Sequence, residues 1–462
     1  MLARPTMAPL CKTIDPSLIG KSFPFRVATR PFWILPKEFD FFNQLGNHLH
    51  AFYQATNKLY LDAVMAPRWV AEYLDAGKPP SVIQYGRMSL SCDQLPGIIR
   101  PDLILMDPAD GIAGMIATEL DAIPGGIGLT LELSHLYPDE NLIGGRDGMR
   151  DGFYQMILSL TAKSTPSLAI VISEESMSYF SEMEFLGKAL TDVGLKTFVM
   201  PPEDLILSDE GVFVASKEGR HAIDVIYRFF ELFDLDHVPQ SEQILYAPQN
   251  YRVAVTPPPK AHLGEKMLFA LFHHPDLKSF WMNAMGQETV SFLEKLFPKT
   301  WVLHPRDSAP IPDLVVHGRV LSRFHELGRL SQKGRRFIIK PSGFSEMAWG
   351  SRGVRVGHDL SQEEWDNTLQ TALNAFDTSP HVLQPFHKGC RVKMEYIDPK
   401  TNLPTPMEGR VRLSPYYFVQ RGEAHLGGIL ATLCPLDKKL IHGMSEAIMA
   451  PCAVGIRDDD TL

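Results

Sequence analysis

Ser167-Leu-Ala-Ile-Val-Ile-Ser173 is the stretch that most narrows what this chain can fold into. It is short, almost wholly apolar and rich in β-branched residues. It lacks the alternation of a strand with one wet face, so it reads as a strand buried on both sides. A helical stretch follows from about Met177 to Val193, closed by Gly194, and Lys196-Thr-Phe-Val-Met200 reads as the next strand. Strand, helix, strand, then Asp224-Val-Ile-Tyr227 predicts a small parallel α/β domain over about 166–255. Thr256-Pro-Pro-Pro259 marks its end. The expected fold class is α/β, with α+β elements outside this domain.

The length, 462 residues, exceeds what one core usually supports. Residues 1–30 read as an arm punctuated by prolines. The 31–165 segment opens with apolar residues at helical spacing from Pro36 to Val64 (Phe42, Leu45, Leu49, Phe52, Leu59, Leu61). The 256–330 segment is expected to be mainly helical, and 331–462 returns to strands and helices before the polar tail Arg457-Asp-Asp-Asp-Thr-Leu462. Forty-five basic against 54 acidic residues give a net charge of −9, which argues against a general nucleic-acid or anionic-membrane binder. A local basic pocket is compatible with it. Five cysteines without a CxxC suggest a reduced, cytoplasmic setting. The first thirty residues do not read as a signal peptide, and no apolar run is long enough to span a bilayer. Oligomeric state is not legible.

Arg100-Pro-Asp102 and Glu119-Leu-Asp121-Ala-Ile-Pro-Gly125-Gly126 flank two short apolar strands around a turn at Asp107-Pro-Ala-Asp-Gly111. Residues i and i+2 of a strand share a face, so Glu119 and Asp121 project together, and hairpin pairing would bring in Asp102. At an effective dielectric of about 20, a like-charge pair ~4 Å apart costs roughly 4 kcal/mol. A divalent cation with oxygen ligands would remove that cost. A solvated acidic hairpin is the alternative reading of the same residues.

Phe337-Ile-Ile-Lys340-Pro341 is an apolar strand ending in a lysine. Gly343, Gly350 and Gly353 follow it, with Trp349 and Arg352 between them. Free backbone amides at such glycines can approach phosphate oxygens, and Lys340 and Arg352 supply charge. Neither GxxxxGK[ST] nor GxGxxG is present. Ser361-Gln-Glu-Glu364 reads as a capping box opening a helix to about Phe376. His381-Val-Leu-Gln384-Pro-Phe386 then reads as a strand running into a hinge, which can offer backbone groups to an adenine edge.

Lysine-ended strand, glycine-rich flap, helix and hinge strand, in that order, resemble the ATP-grasp ligases, the family of glutathione synthetase. In that family an Arg-x-Asp strand is followed by Glu-x-Asn and a Pro-Gly or related turn. Arg100-Pro-Asp102 and Glu119-Leu-Asp121 with Pro124-Gly125-Gly126 match, except that Asp121 stands where Asn is usual and adds a negative charge. Those residues usually come after the hinge; here they precede it. The chain therefore resembles a circularly permuted ATP-grasp protein over about 85–450, similar to the group related to glutathionylspermidine synthetase-like proteins. The resemblance implies a metal-binding half within 31–165, a pre-ATP-grasp-like domain over 166–255 and a nucleotide-binding half over 331–462.

The resemblance further implies that Asp102, Glu119 and Asp121 hold Mg²⁺, with two ions expected. It implies that Lys266, Lys340, Gly343, Gly350, Arg352 and Gly353 hold the phosphates of ATP, with the adenine at Gln384 to Phe386. Arg100 would face the transferred group, and Gly125 and Gly126 would present amides to a carboxylate or oxyanion. Arg228 is a candidate anion contact. The implied activity is ATP-dependent ligation of a small-molecule carboxylate to an amine, or to a thiol, through an acyl phosphate. A kinase or phosphotransferase using the same pocket and a non-catalytic nucleotide-binding protein are the alternatives. Read from the residues alone, Lys266 is a solvated helix position in preference to a phosphate ligand, and Arg410 and Arg412 are either phosphate-facing or surface arginines. Trp349 either stacks on a nucleotide or pins the flap. His48 and His50 diverge on a helix, His273-His274 lacks a zinc-like ligand cluster, and no cysteine has a nucleophile motif.

Overall fold

Burial on both sides fixes the first sheet. Ser167–Ile172 is buried from its second residue onward and pairs in parallel with Lys196–Met200 and Val225–Phe229; Ala254–Thr256 adds a parallel edge. The helix Phe180–Asp192 lays Met183, Leu186 and Leu190 over one face, against Leu168, Ile170 and Ile172. Ala169, Val171 and Ile226 on the other face pack against a three-stranded meander of Leu205–Ser208, Gly211–Ser216 and Gly219–Ala222. The structure, a computed structural model, describes residues 25–62, 67–106, 114–137, 141–217, 219–305, 314–316, 318–401 and 403–455. The Asp107–Gly111 turn, most of the N-terminal arm and the tail from Arg457 lie outside them.

An eight-stranded sheet forms the centre. Its order is Arg26–Val27, Ile448–Val454, Glu423–Pro435, Pro404–Gln420, Ile98–Leu105 and Met115–Asp121. Phe32–Ile34 also pairs with Ile448–Val454, and Arg391–Ile397 with Pro404–Gln420. The helix Pro36–Leu61 covers one face, burying Phe42, Leu45, Leu49 and Phe52 as its apolar spacing predicts. It approaches closely because position 46 is glycine: a Cβ there would lie 2.5 Å from the Tyr417 ring. Tyr417 Oη in turn donates to the carbonyl of Phe42 at 2.8 Å. The opposite face packs on the helices Ile127–Ser134 and Gly148–Ser159 and on the parallel α/β sheet.

A third sheet is antiparallel, ordered Trp301–Leu303, His381–Pro385, Phe337–Pro341 and Arg355–Val356. The helix Gln362–Asn374 starts at the expected capping box, with Ser361 and Glu364 reciprocally bonded. Its Trp365, Leu369 and Leu373 share a core with Phe337, Ile339 and Leu383. The sheets divide the 331–462 segment after Pro385: residues 391–454 belong to the central sheet, beside the carboxylate hairpin. The 256–330 segment, expected to be mainly helical, carries the helices Leu268–His273 and Lys278–Leu296 but also supplies Trp301–Leu303 as an edge strand. Both differences have one cause, because apolar runs reveal strands but not the partners they pair with. Among the described residues, no helix is long and apolar enough to cross a membrane.

Candidate active site

The carboxylate strands pair antiparallel, with Arg100 opposite Asp121 and Asp102 opposite Glu119, and a register shift follows Asp102. Directly opposed residues share a face, so all four side chains meet on one side of the hairpin. Asp102 is 1% exposed. Its oxygens meet Arg412 Nη1 at 2.8 Å and Arg100 Nε at 3.2 Å, and Ser414 Oγ donates to Oδ1 at 2.8 Å. Arg100 Nη2 also reaches Asp121 Oδ2 at 3.0 Å. Burial favours neutral Arg100, but Asp102, Asp121 and Glu119 hold its pKa well above the ordinary value. Burial raises Asp121, against Arg100 and the Ile123 amide donating to Oδ1 at 2.8 Å.

Lysines from the other half of the chain close on this hairpin. Lys266 Nζ lies 3.1 Å from Glu119 Oε2, and Lys340 Nζ donates to the Thr118 carbonyl at 2.8 Å. Burial pushes Glu119 up, but Lys266, Lys340, Arg100 and Arg412 together hold it well below the usual carboxylate range. Burial, reinforced by Lys266, pulls Lys340 down to about 7. A buried network fixes the two lysines relative to each other. Ser342 Oγ donates to Glu265 Oε2 and accepts from the Met267 amide at 2.9 Å. Lys78 Nζ meets Glu265 Oε1 at 2.5 Å. Lys266 thereby sits beside the lysine-ended strand, with its amide donating to Ser342 O at 2.7 Å.

A cavity of about 400 Å³ lies between these elements. Arg100, Asp102, Glu119, Asp121, Lys266 and Arg412 line one end, and Gly125, Arg228, Gly343, Trp349, Gly350 and Arg352 also border it. Other predicted residues lie elsewhere or are already engaged. Gln384 is buried, donating to Thr300 Oγ1 at 3.0 Å. The Phe386 amide donates to Arg336 O at 2.8 Å, and the Gly353 amide to Met347 O at 2.8 Å. Arg228 donates its Nε, Nη1 and Nη2 to the carbonyls of Pro257, Phe230 and Pro258. Burial brings its pKa down to about 10. Arg352 pairs with Glu175 at 3.3 Å. Trp349 Nε1 donates to Glu231 at 3.2 Å, tying the flap to the parallel α/β unit.

Gly126 begins the helix Ile127–Ser134 with φ 88°, and a Cβ there would lie 2.4 Å from Tyr416 Oη. Its amide is committed to Glu182 Oε1 at 2.7 Å, while Leu129 N–H reaches Oε2 at 3.3 Å. Burial raises Glu182 to about 7 despite those bonds. Glu182, Glu231, Ser414 and Tyr416 were not foreseen. Ser414 and Tyr416 continue the i, i+2 row of Arg410 and Arg412, so that row was a usable signal; Glu182 had none. Arg410 Nη1 donates to Leu436 O at 2.9 Å, away from Asp102. His48 contacts Thr289 and His273 contacts Phe297 O, each outside the cavity.

The three carboxylates are hard oxygen donors of the kind Mg²⁺ takes, and Glu119 and Asp121 face the cavity. Here Lys266 and Arg100 hold those charges. Among the described residues no three acidic, imidazole or thiol groups converge closely enough to form a metal-binding cluster.

No protein-family model matches the chain, and no curated protein matches it in sequence. Among solved structures, it is similar to a glutathione synthetase-like effector from Globodera pallida in its apo form. The TM-score is 0.56 at 11% identity, covering 93% of this chain and 90% of that one. A protein from Methylobacillus flagellatus KT assigned as a gamma-glutamylcysteine synthetase gives a TM-score of 0.43 at 12% identity, covering 84% and 88%. The mixed α/β fold is similar to that of this glutathione synthetase-like effector.

Proposed function

We propose that this protein is an ATP-dependent carboxylate–amine ligase built on a circularly permuted ATP-grasp arrangement. One observation carries the reading: Lys340 and Lys266, from the far half of the chain, both contact the Arg100–Asp102–Glu119–Asp121 hairpin, and Lys266 shares one cavity with its charged side chains. Arg100, Arg412, Lys266 and Lys340 would bind the phosphates. An arriving anion would restore full charge to Lys340, whose pKa of about 7 leaves it half protonated near neutrality. Glu119 and Asp121, with Asp102 behind them, would hold Mg²⁺, which neutralises phosphate charge when bound. Phe386 and His358, in edge contact at 4.8 Å, would offer the adenine an aromatic surface on the hinge side. A substrate carboxylate oxygen would attack the γ-phosphorus and release ADP; an amine nitrogen would then attack the acyl carbon and release phosphate. Such transfer depends on positioning and charge, which suits a site with four cations and no nucleophilic triad. Gly343, Gly350 and Arg352 on the flap would exclude water from the acyl phosphate.

The test is ADP and phosphate release from Mg-ATP across a panel of carboxylates and amines. Amine-dependent release of both is expected, abolished by Glu119→Gln and by Lys340→Met. A stable phosphate ester would assign a kinase instead. Full activity of Glu119→Gln would refute the site.

A further inference from the structure

The cavity is polarised. At the hairpin end Arg100, Arg412, Lys266 and Lys340 surround three carboxylates, and that end suits anions. A further part of the lining, from the parallel α/β unit and the flap, comprises Tyr179, Glu231, Phe233 and Trp349. The Trp349 ring stands at 86° to Phe233, 6.1 Å between centroids, and at 68° to Tyr179, 6.4 Å away. Aromatic rings in a cavity wall attract organic cations to their faces.

Glu231 lines the same cavity, and its one hydrogen bond among the described residues comes from the neutral Trp349 indole. No ion pair to it forms among those residues. The neighbouring guanidinium of Arg228 is committed to three backbone carbonyls. Glu231 is half-buried, and burial, with Asp121, pushes it up to about 7 against Arg228, the Trp349 bond and Lys266. A ligand cation would give this carboxylate a direct ion pair in addition to the more distant charges of Arg228 and Lys266.

We propose, on the basis of the ligase reading, that Tyr179, Glu231, Phe233 and Trp349 form the subsite of the amine-bearing substrate and select an organic ammonium ion. Glu231 takes the charge and then accepts the proton that the nitrogen must lose before it attacks the acyl carbon, and the three rings take the ion's apolar flanks. Trp349 then has a double task, since it belongs to the flap and to the subsite: the flap closes on the substrate it helps to recognise.

The experiment is an NMR titration of the full-length protein with three probes of one size and three charges: n-butylammonium, 1-butanol and n-butyrate. The ammonium ion should bind at least about tenfold more tightly than the alcohol, and butyrate more weakly than either. Glu231→Gln keeps the side-chain shape and should reduce the ammonium advantage to below about threefold. Phe233→Leu leaves the Trp349–Glu231 bond in place and should weaken the ammonium alone, by roughly fivefold. Undetectable ammonium binding, equal binding of butyrate, or an unchanged preference in Glu231→Gln would each overturn the subsite. The titration needs no turnover. An inert protein in the ADP assay would therefore sink the ligase reading separately, whereas lost ammonium preference with intact ADP release would sink the subsite alone.

Discussion

Replacing Lys340 by methionine removes an ammonium that burial already disfavours, so the variant should become more stable while losing ADP formation. Lys340 is 6% exposed. Burial first, and Lys266 second, bring its pKa from 10.5 to about 7. Between those values the unfolded chain carries a proton that the folded chain lacks, so wild-type stability rises with pH across that window. At about 1.4 kcal/mol per tenfold change in proton affinity, the penalty near neutrality is roughly 4 kcal/mol. Local relaxation makes this an upper bound. Methionine keeps the apolar stem but leaves the Thr118 carbonyl without its donor, at a cost of about 1–3 kcal/mol. A net gain of about 2 kcal/mol is therefore expected near pH 7. It should shrink and reverse toward pH 10.5, where only the lost hydrogen bond remains. Urea unfolding of both proteins at several pH values isolates the difference, because other titrating groups cancel. A variant less stable than wild type at neutral pH, or a difference that ignores pH, would refute the argument.

Glu182 gives a slope of opposite sign. Its folded pKa of about 7 exceeds the ordinary 4.5, so the folded chain binds the extra proton between those values and stability falls as pH rises through them. Glu182→Gln should flatten that slope in the same urea series. Ser414→Ala strips a buried Asp102 oxygen of its hydroxyl partner and should lower unfolding free energy by about 1.5–3 kcal/mol, read by denaturation. Gly126→Ala forces a side chain onto φ 88° against Tyr416 Oη and should cost about 1–3 kcal/mol, partly recovered by Tyr416→Phe, in thermal melts. Arg352→Ala breaks only an exposed ion pair with Glu175. Its stability should stay within about 1 kcal/mol of wild type, whereas the KM for ATP should rise.

The elements governed by local pattern were legible in the chain. Ser167–Ile172 announced a doubly buried strand, Phe42 to Phe52 a helix face, and Ser361 with Glu364 a cap, each within a few residues. The hairpin was readable too, since two apolar runs about one turn place Asp102 opposite Glu119. Its meeting with Lys340 required the family resemblance, because nothing in Phe337–Pro341 names a partner more than two hundred residues away. What escaped were the choices polar groups make once buried. Gly126 looked like an open anion cradle, but Glu182, on a helix of another sheet, occupies its amide. Arg228 looked like an anion contact, but the carbonyls of Pro257, Phe230 and Pro258 take its donors. Gln384, read as part of a hinge that offers its backbone to an adenine edge, turns its side chain to Thr300. Hydrogen-bond satisfaction is decided by whichever groups are brought near, and their identity is a property of the tertiary fold.

The central sheet joins the first and last described strands: Arg26 and Val27 run beside Ile448 and Met449, and Phe32–Ile34 beside Cys452 to Val454. During synthesis this edge must wait, with its backbone groups unmatched, until Ile448–Val454 has left the ribosome. Pairings of such high contact order form slowly, and an unmatched edge invites association with other nascent chains. Expression yield should accordingly respond more to chaperone supply than to mutations in the early-completed α/β unit, whose strands all lie within one contiguous stretch.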